Sequence, residues 1–148
     1  MGLFDAFRKA TGSENNLTEL PVMAEGELPG LGLKQALDAH SAWKDRLSKI
    51  IEGTSDEQPD ITVVVQDNQC FLGKWLHDEG KRLYSHLPEY DSLLAAHAEF
   101  HVCAGHVLEQ HQLGNQVFAE VILKSKFRTA SNKNQMLLTN LFRVVKTR

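Results

Sequence analysis

Pro88-Glu-Tyr-Asp-Ser-Leu-Leu-Ala-Ala-His97-Ala-Glu-Phe-His101-Val-Cys-Ala-Gly-His-Val-Leu-Glu-Gln-His111 is the stretch that decides the fold. Proline suits a helix's first turn, where its missing N–H costs nothing. The stretch therefore reads as one helix to about His111, broken by Gly114. Inside it, His97 and His101 stand at i and i+4. On a helix they are neighbours on one face, ~6 Å apart along the axis, so both rings can reach one ion.

Working outward, the other segments repeat the helical theme. Leu33, Ala36, Leu37, Trp43, Leu47 and Ile50 recur at helical spacing up to Gly53, which supplies a stop. Thr54 to Asp60 is a polar loop. Ile61-Thr-Val-Val-Val is β-branched and would be a strand by propensity alone. A strand without a partner is unsupported in a helical chain, so it reads as loop or a helix start. Asn68 to about Gly80 resumes helical spacing through Phe71, Trp75 and Leu76. Val117 to about Leu123 and Ser131 to Val145 form the last helical stretch, with an interruption around Lys126 to Thr129. Helices joined by short loops, each with one apolar stripe, predict an all-α fold. The expected form is an antiparallel four-helix bundle with an additional short helical segment.

Residues Met1 to Gly30 differ from the rest. A short amphipathic start, Gly2-Leu-Phe-Asp-Ala-Phe-Arg-Lys, leads into a stretch rich in Gly, Ser, Asn, Glu and Pro. They read as a flexible N-terminal tail, 1–30, before a domain over 31–148. About two turns of helix is too short to be stable alone, so the start reads as a frayed arm rather than a membrane or partner contact.

The chain of 148 residues fits one domain, with 42% hydrophobic and 24% charged residues. A net charge of -3 argues against a nucleic-acid partner, because phosphate binding needs a basic surface. No run approaches the ~18 apolar residues of a transmembrane span, and no secretory h-region opens the chain. The expected location is cytoplasmic, where two cysteines, Cys70 and Cys103, are free or metal-bound rather than bridged.

Cys70 lies among apolar residues in Asn68-Gln-Cys-Phe-Leu-Gly-Lys-Trp-Leu76, and His40 in His40-Ser-Ala-Trp-Lys44. Read alone, a buried cysteine is an inert small hydrophobe and a lone histidine a satisfied polar group. Spacing by itself does not bring them to the His97–His101 pair.

The segments His40-x-x-Trp-Lys44, Cys70-x-Leu-Gly-Lys-Trp-Leu76 and His97-x-x-Phe-His101 together resemble the chemoreceptor zinc-binding (CZB) domain family. Cys70 follows His40 by 30 residues and His97 follows Cys70 by 27, which fits the same pattern. Leu83 to Tyr90 and Ser131 sit where the family has comparable residues, and the likeness runs from about Leu31 to Val145. The resemblance implies a dimerising helical bundle with a three-histidine, one-cysteine zinc site. Carried onto this chain, the Zn2+ ligands are His40, Cys70, His97 and His101. It also implies a signalling partner, such as a chemoreceptor or a diguanylate cyclase, although no receptor coiled coil, cyclase motif or transmembrane span stands in this chain.

Zinc favours four tetrahedral imidazole and thiolate ligands, and this set leaves a charge of about +1. Four protein ligands close the sphere to an activated water, which argues against an enzyme. The zincin helix needs Glu directly after the first His; here that position is Ala98, and Glu99 faces away. Two readings follow: a sensor of zinc or of oxidants such as hypochlorous acid acting on Cys70, or a purely structural zinc protein. His77, His86, His106 and His111 read as surface or packing residues, and Cys103 as buried and unreactive. Trp43 and Trp75 read as packing beside the metal. Asp38, Asp67 and Glu99 are candidates to orient the ring N–H groups.

Overall fold

The computed structural model describes residues 26–147. The amphipathic start and most of the expected tail lie outside them.

The described chain opens with a hairpin. β1 (Glu27–Leu28) pairs antiparallel with β2 (Leu31–Gly32), Leu28 opposite Leu31. Pro29 and Gly30 make the turn, and Gly30 takes φ 79°, a conformation glycine enters without strain. The Trp75 indole N–H donates to the Pro29 carbonyl at 2.7 Å, and both strand leucines are buried. The hairpin is thus part of the packed domain, although its first residues precede Leu31.

α1 (Leu33–Glu52) follows directly. Gly53, at φ 86°, ends it with the paired bonds of a left-handed cap: Gly53 N–H to Ile50 and Thr54 N–H to Lys49. The β-branched run then forms a single helical turn, α2 (Ile61–Val64). The Asp60 carboxylate caps it by accepting the Thr62 N–H at 3.0 Å, and that local bond prevails over strand propensity. α2 packs on α5 (Pro88–Gln112) at Gly105, where a Cβ would fall 2.3 Å from Val65 Cγ1.

The helix expected from Asn68 to about Gly80 is two short ones, α3 (Phe71–Leu76) and α4 (Glu79–Tyr84). The bend at His77–Asp78 lets the Trp75 ring lie on Gly80, where a Cβ would come within 2.6 Å of it. α5 starts on Pro88 and runs for 25 residues, with Gly114 just beyond its end at φ 85°. No gap interrupts the last stretch. α6 (Gln116–Ile122) passes through a π-helical turn (Leu123–Phe127) into α7 (Arg128–Lys146). The widened turn replaces the expected break and keeps Phe127 buried.

The chain is predominantly helical, and its core has two apolar clusters. One gathers the hairpin, Leu72, Trp75, Leu76, Leu93, Leu138 and Leu141. The other gathers Leu47, Ile51, Phe100, Val107, Leu108, Ile122 and Phe127. Between them, each long helix contributes polar residues: His40 from α1, His97 and His101 from α5, Ser131 and Asn134 from α7. Among the described residues these five are the buried polar ones. Burying polar groups costs free energy unless they are partnered, so this layer needs a reason.

Candidate metal centre

Three of the four expected ligands come together. Cys70, His97 and His101 offer ligand atoms that all lie within 4.8 Å of one another. Each is placed by a local feature of its segment. Cys70 is the N-cap of α3, and its Sγ accepts the Gly73 N–H at 3.3 Å. The thiol thus points back over the helix start instead of into an apolar pocket. His97 and His101 stand one turn apart on α5 and meet edge to face, with ring centroids 4.6 Å apart.

The hydrogen bonds define the tautomers. His101 Nδ1–H donates to the Val64 carbonyl at 2.8 Å, which leaves the lone pair on Nε2. That Nε2 is buried and has no hydrogen-bond partner among the described residues. An orphaned buried acceptor beside a thiol is what a metal ligand looks like before it is satisfied. His97 Nδ1–H donates to Asn134 Oδ1 at 3.2 Å, so its Nε2 faces Cys70 Sγ, also at 3.2 Å.

His40 is the fourth expected ligand. It lines the same small cavity of about 40 Å³ as Cys70, His97, His101, Trp43 and Phe100, and its ring lies tilted against Phe100 with centroids 4.5 Å apart. It stands outside the three-atom cluster, and α7 holds both of its ring nitrogens. Nε2 pairs with Ser131 Oγ at 2.8 Å and Nδ1 with Asn134 Nδ2 at 3.3 Å.

The electrostatics favour ligands over bases. Burial, with Lys44 and His101 adding to it, lowers His40 to about 4. Burial and the neighbouring His101 lower His97 to about 4, and burial lowers His101 too. All three imidazoles are therefore neutral at pH 7, the form that binds metal. Burial pushes the Cys70 thiol up, opposed by backbone N–H groups of Gly73, Leu72 and Cys70 itself. A soft dication there would favour the thiolate and displace the proton.

A pH prediction follows. An unfolded histidine binds its proton near pH 6.5, whereas His40 and His97 stay neutral down to about 4. The unfolded chain thus binds more protons in that window, and stability rises with pH across it. For metal-stripped protein, Tm should fall steadily from pH 6.5 to 4 and change little from 6.5 to 8. A flat Tm below pH 6.5 would show that these rings are not held neutral.

None of the three carboxylates expected to orient the rings does so. Asp38 pairs with Lys34 at 2.7 Å and Asp67 with His77 at 3.2 Å. Glu99 acts on Cys103, whose proton affinity it helps to raise. Neutral groups take their place: the Val64 carbonyl, Asn134 and Ser131. A signal for the last two was present, since Ser131 and Asn134 share the face of α7 that carries Ala130, Leu138 and Leu141. Trp43 borders the cavity, whereas Trp75 packs with the hairpin, away from it. Cys103 is half-buried against the second apolar cluster. His106 meets Phe118 edge-on and His111 bonds Gln116.

Among the described residues, no helix is long and apolar enough to cross a membrane. Comparison with curated proteins and with solved structures gives no significant match. Residues 40–108 match one family: they run from His40 past His101, the outermost of the expected ligands, through nearly all of α5, and that segment belongs to the chemoreceptor zinc-binding domain family.

Proposed function

We propose that this chain is a zinc-binding sensory module. It holds one zinc ion through His40, Cys70, His97 and His101 and passes zinc availability or oxidant exposure to a protein partner. The observation that carries the reading is the buried Cys70–His97–His101 cluster, with the His101 Nε2 lone pair aimed into it. The family match over 40–108 supports zinc as the ion. The donor set also fits: imidazole and thiolate suit zinc, and a closed four-ligand sphere suits regulation or structure rather than hydrolysis.

Cys70 is the reactive element. A thiolate attacks hypochlorous acid at oxygen, forming an S–O bond and releasing chloride, so sulfur loses two electrons and becomes a sulfenic acid. The oxidised sulfur is a poorer ligand, and a weakened site releases its ion. Because the site lies between two apolar clusters, its loosening reaches α1, α3, α5 and α7 together. The order of residues along those clusters supports an antiparallel four-helix arrangement whose second member is broken into α2, α3 and α4. The partner would be a cytoplasmic signalling protein, such as a chemoreceptor or a diguanylate cyclase, engaged by a homodimer of this chain.

The burial of the polar layer also favours a second reading, in which zinc only holds the core together. One experiment separates the two. Metal per chain is measured by elemental analysis, with the solution mass, before and after graded hypochlorous acid, while circular dichroism follows helicity. The sensor reading expects one zinc per dimerised chain, released with helicity largely kept. Collapse of the helices on release would favour the structural ion, and absence of zinc would sink both.

A further inference from the structure

Both ring nitrogens of His40 are already engaged, and by one helix. Asn134 has one acceptor and one donor end. Its Oδ1 accepts the His97 Nδ1–H, so its Nδ2–H faces His40 Nδ1 at 3.3 Å. That makes His40 Nδ1 the acceptor and puts the ring proton on Nε2, which donates to Ser131 Oγ at 2.8 Å. Ser131 and Asn134 are fully buried at 0% exposure, so water does not substitute for either bond. By contrast, His101 offers an unpartnered lone pair, and His97 turns its own toward Cys70.

We propose that Ser131 and Asn134 form a latch on α7 that competes with zinc for His40. Three ligands are poised, and the fourth is given up by α7 only when zinc takes it. His40 gives its Nε2 lone pair to the ion only by losing both bonds to α7: the ring proton leaves the Ser131 bond and moves to Nδ1, which then no longer accepts from Asn134 Nδ2. Zinc binding is thereby written into the hydrogen bonding of the last helix, and Ser131 is a positioning residue that sets how much binding energy is spent there. This inference rests on the proposed zinc site and adds to it the route by which occupancy reaches α7.

The competing alternative is that Ser131 merely supports the ring, and the two make opposite predictions. Under the latch, Ser131→Ala removes a buried hydrogen bond that only the unligated His40 enjoys. Zinc affinity should then rise about three- to tenfold. A supporting serine would give the reverse. We would titrate the full-length chain with zinc against a chromophoric chelator, for wild type, Ser131→Ala, His40→Ala and the double variant. The gain from Ser131→Ala must vanish in the His40→Ala background, because the latch acts through that ring. Unchanged or weaker binding in Ser131→Ala, or an equal gain without His40, overturns the proposal. A second measurement needs no variant: ring nitrogen-15 spectra of the wild-type chain should show the His40 protonation pattern change when zinc is added. An unchanged His40 pattern at saturating zinc also overturns it. Zinc binding indifferent to Cys70→Ser would instead sink the site itself. Binding that depends on Cys70 but not on Ser131 removes the latch alone.

Discussion

Cys70→Ser should all but abolish tight zinc binding while leaving the helices in place. Serine keeps the N-cap function, since its hydroxyl accepts the Gly73 N–H as well as Sγ does at 3.3 Å. The fold therefore loses little. The metal site loses its only anionic donor, and a neutral hydroxyl is a poor zinc ligand. Changes to groups that merely orient ligands cost about 10–100-fold in affinity, so loss of the thiolate should exceed that range. The two effects separate in one titration. Far-ultraviolet dichroism should match wild type, Tm without metal should move by at most about 1 kcal/mol equivalent, and the zinc-dependent rise in Tm should disappear. Metal content equal to wild type would mean that Cys70 is not a ligand. A collapsed spectrum would mean that the thiol serves packing instead. Cys70→Ala sharpens the contrast, because it removes both cap and ligand and should add about 1 kcal/mol of destabilisation to the same loss of zinc.

How far the sequence leads differs between the fold and the site. α1 and α5 are legible because their signals are local: apolar spacing, Pro88 at the start of α5, and Gly53 and Gly114 beyond the ends. The division of α3 from α4 is not, because the contact between Trp75 and Gly80 that accompanies the bend is tertiary. The π-helical turn shows in the sequence only as an expected interruption around Lys126 to Thr129: Leu123-Lys-Ser-Lys-Phe127 contains no breaker, and packing reveals that the turn widens to bury Phe127. In the site, the spacing of His97 and His101 is enough to place two rings on one face. Cys70 and His40 could be joined to them only through a family resemblance, since α3 and α1 meet α5 by tertiary packing. Ser131 and Asn134 are harder still. Ser131-Asn-Lys-Asn-Gln135 is polar throughout, yet residues 131 and 134 are buried while 132 and 133 are exposed. A run of five polar residues hides which two face inward, and the helical phase set by Ala130 and Leu138 is what selects them.

Gly73→Ala should be the most damaging single-methyl change in the chain. An added Cβ would lie 1.8 Å from the Asp67 carbonyl oxygen and 3.2 Å from Asn68 Cα. Both are backbone atoms, so no rotamer change relieves the clash; either the 67–70 segment or α3 must move. Alanine's better helix propensity offers about 1 kcal/mol at most, whereas forced overpacking costs about 1–3 kcal/mol and more where backbone must shift. Overpacking wins, and the expected result is a net loss of stability of about 2 kcal/mol or more. The consequence for metal is specific. Gly73 N–H holds Cys70 Sγ, and the same shift that relieves Asp67 carries the thiol away from His97 Nε2. Gly80→Ala provides the control, because its Cβ would meet the Trp75 ring at 2.6 Å but touches nothing that holds Cys70. Both variants should lower Tm, but only Gly73→Ala should weaken zinc binding in the fully folded protein, measured by chelator competition well below Tm. If both weaken it equally, the site depends on the general rigidity of the α3–α4 region. If Gly73→Ala leaves it intact, the thiol is placed by its metal and not by its helix cap.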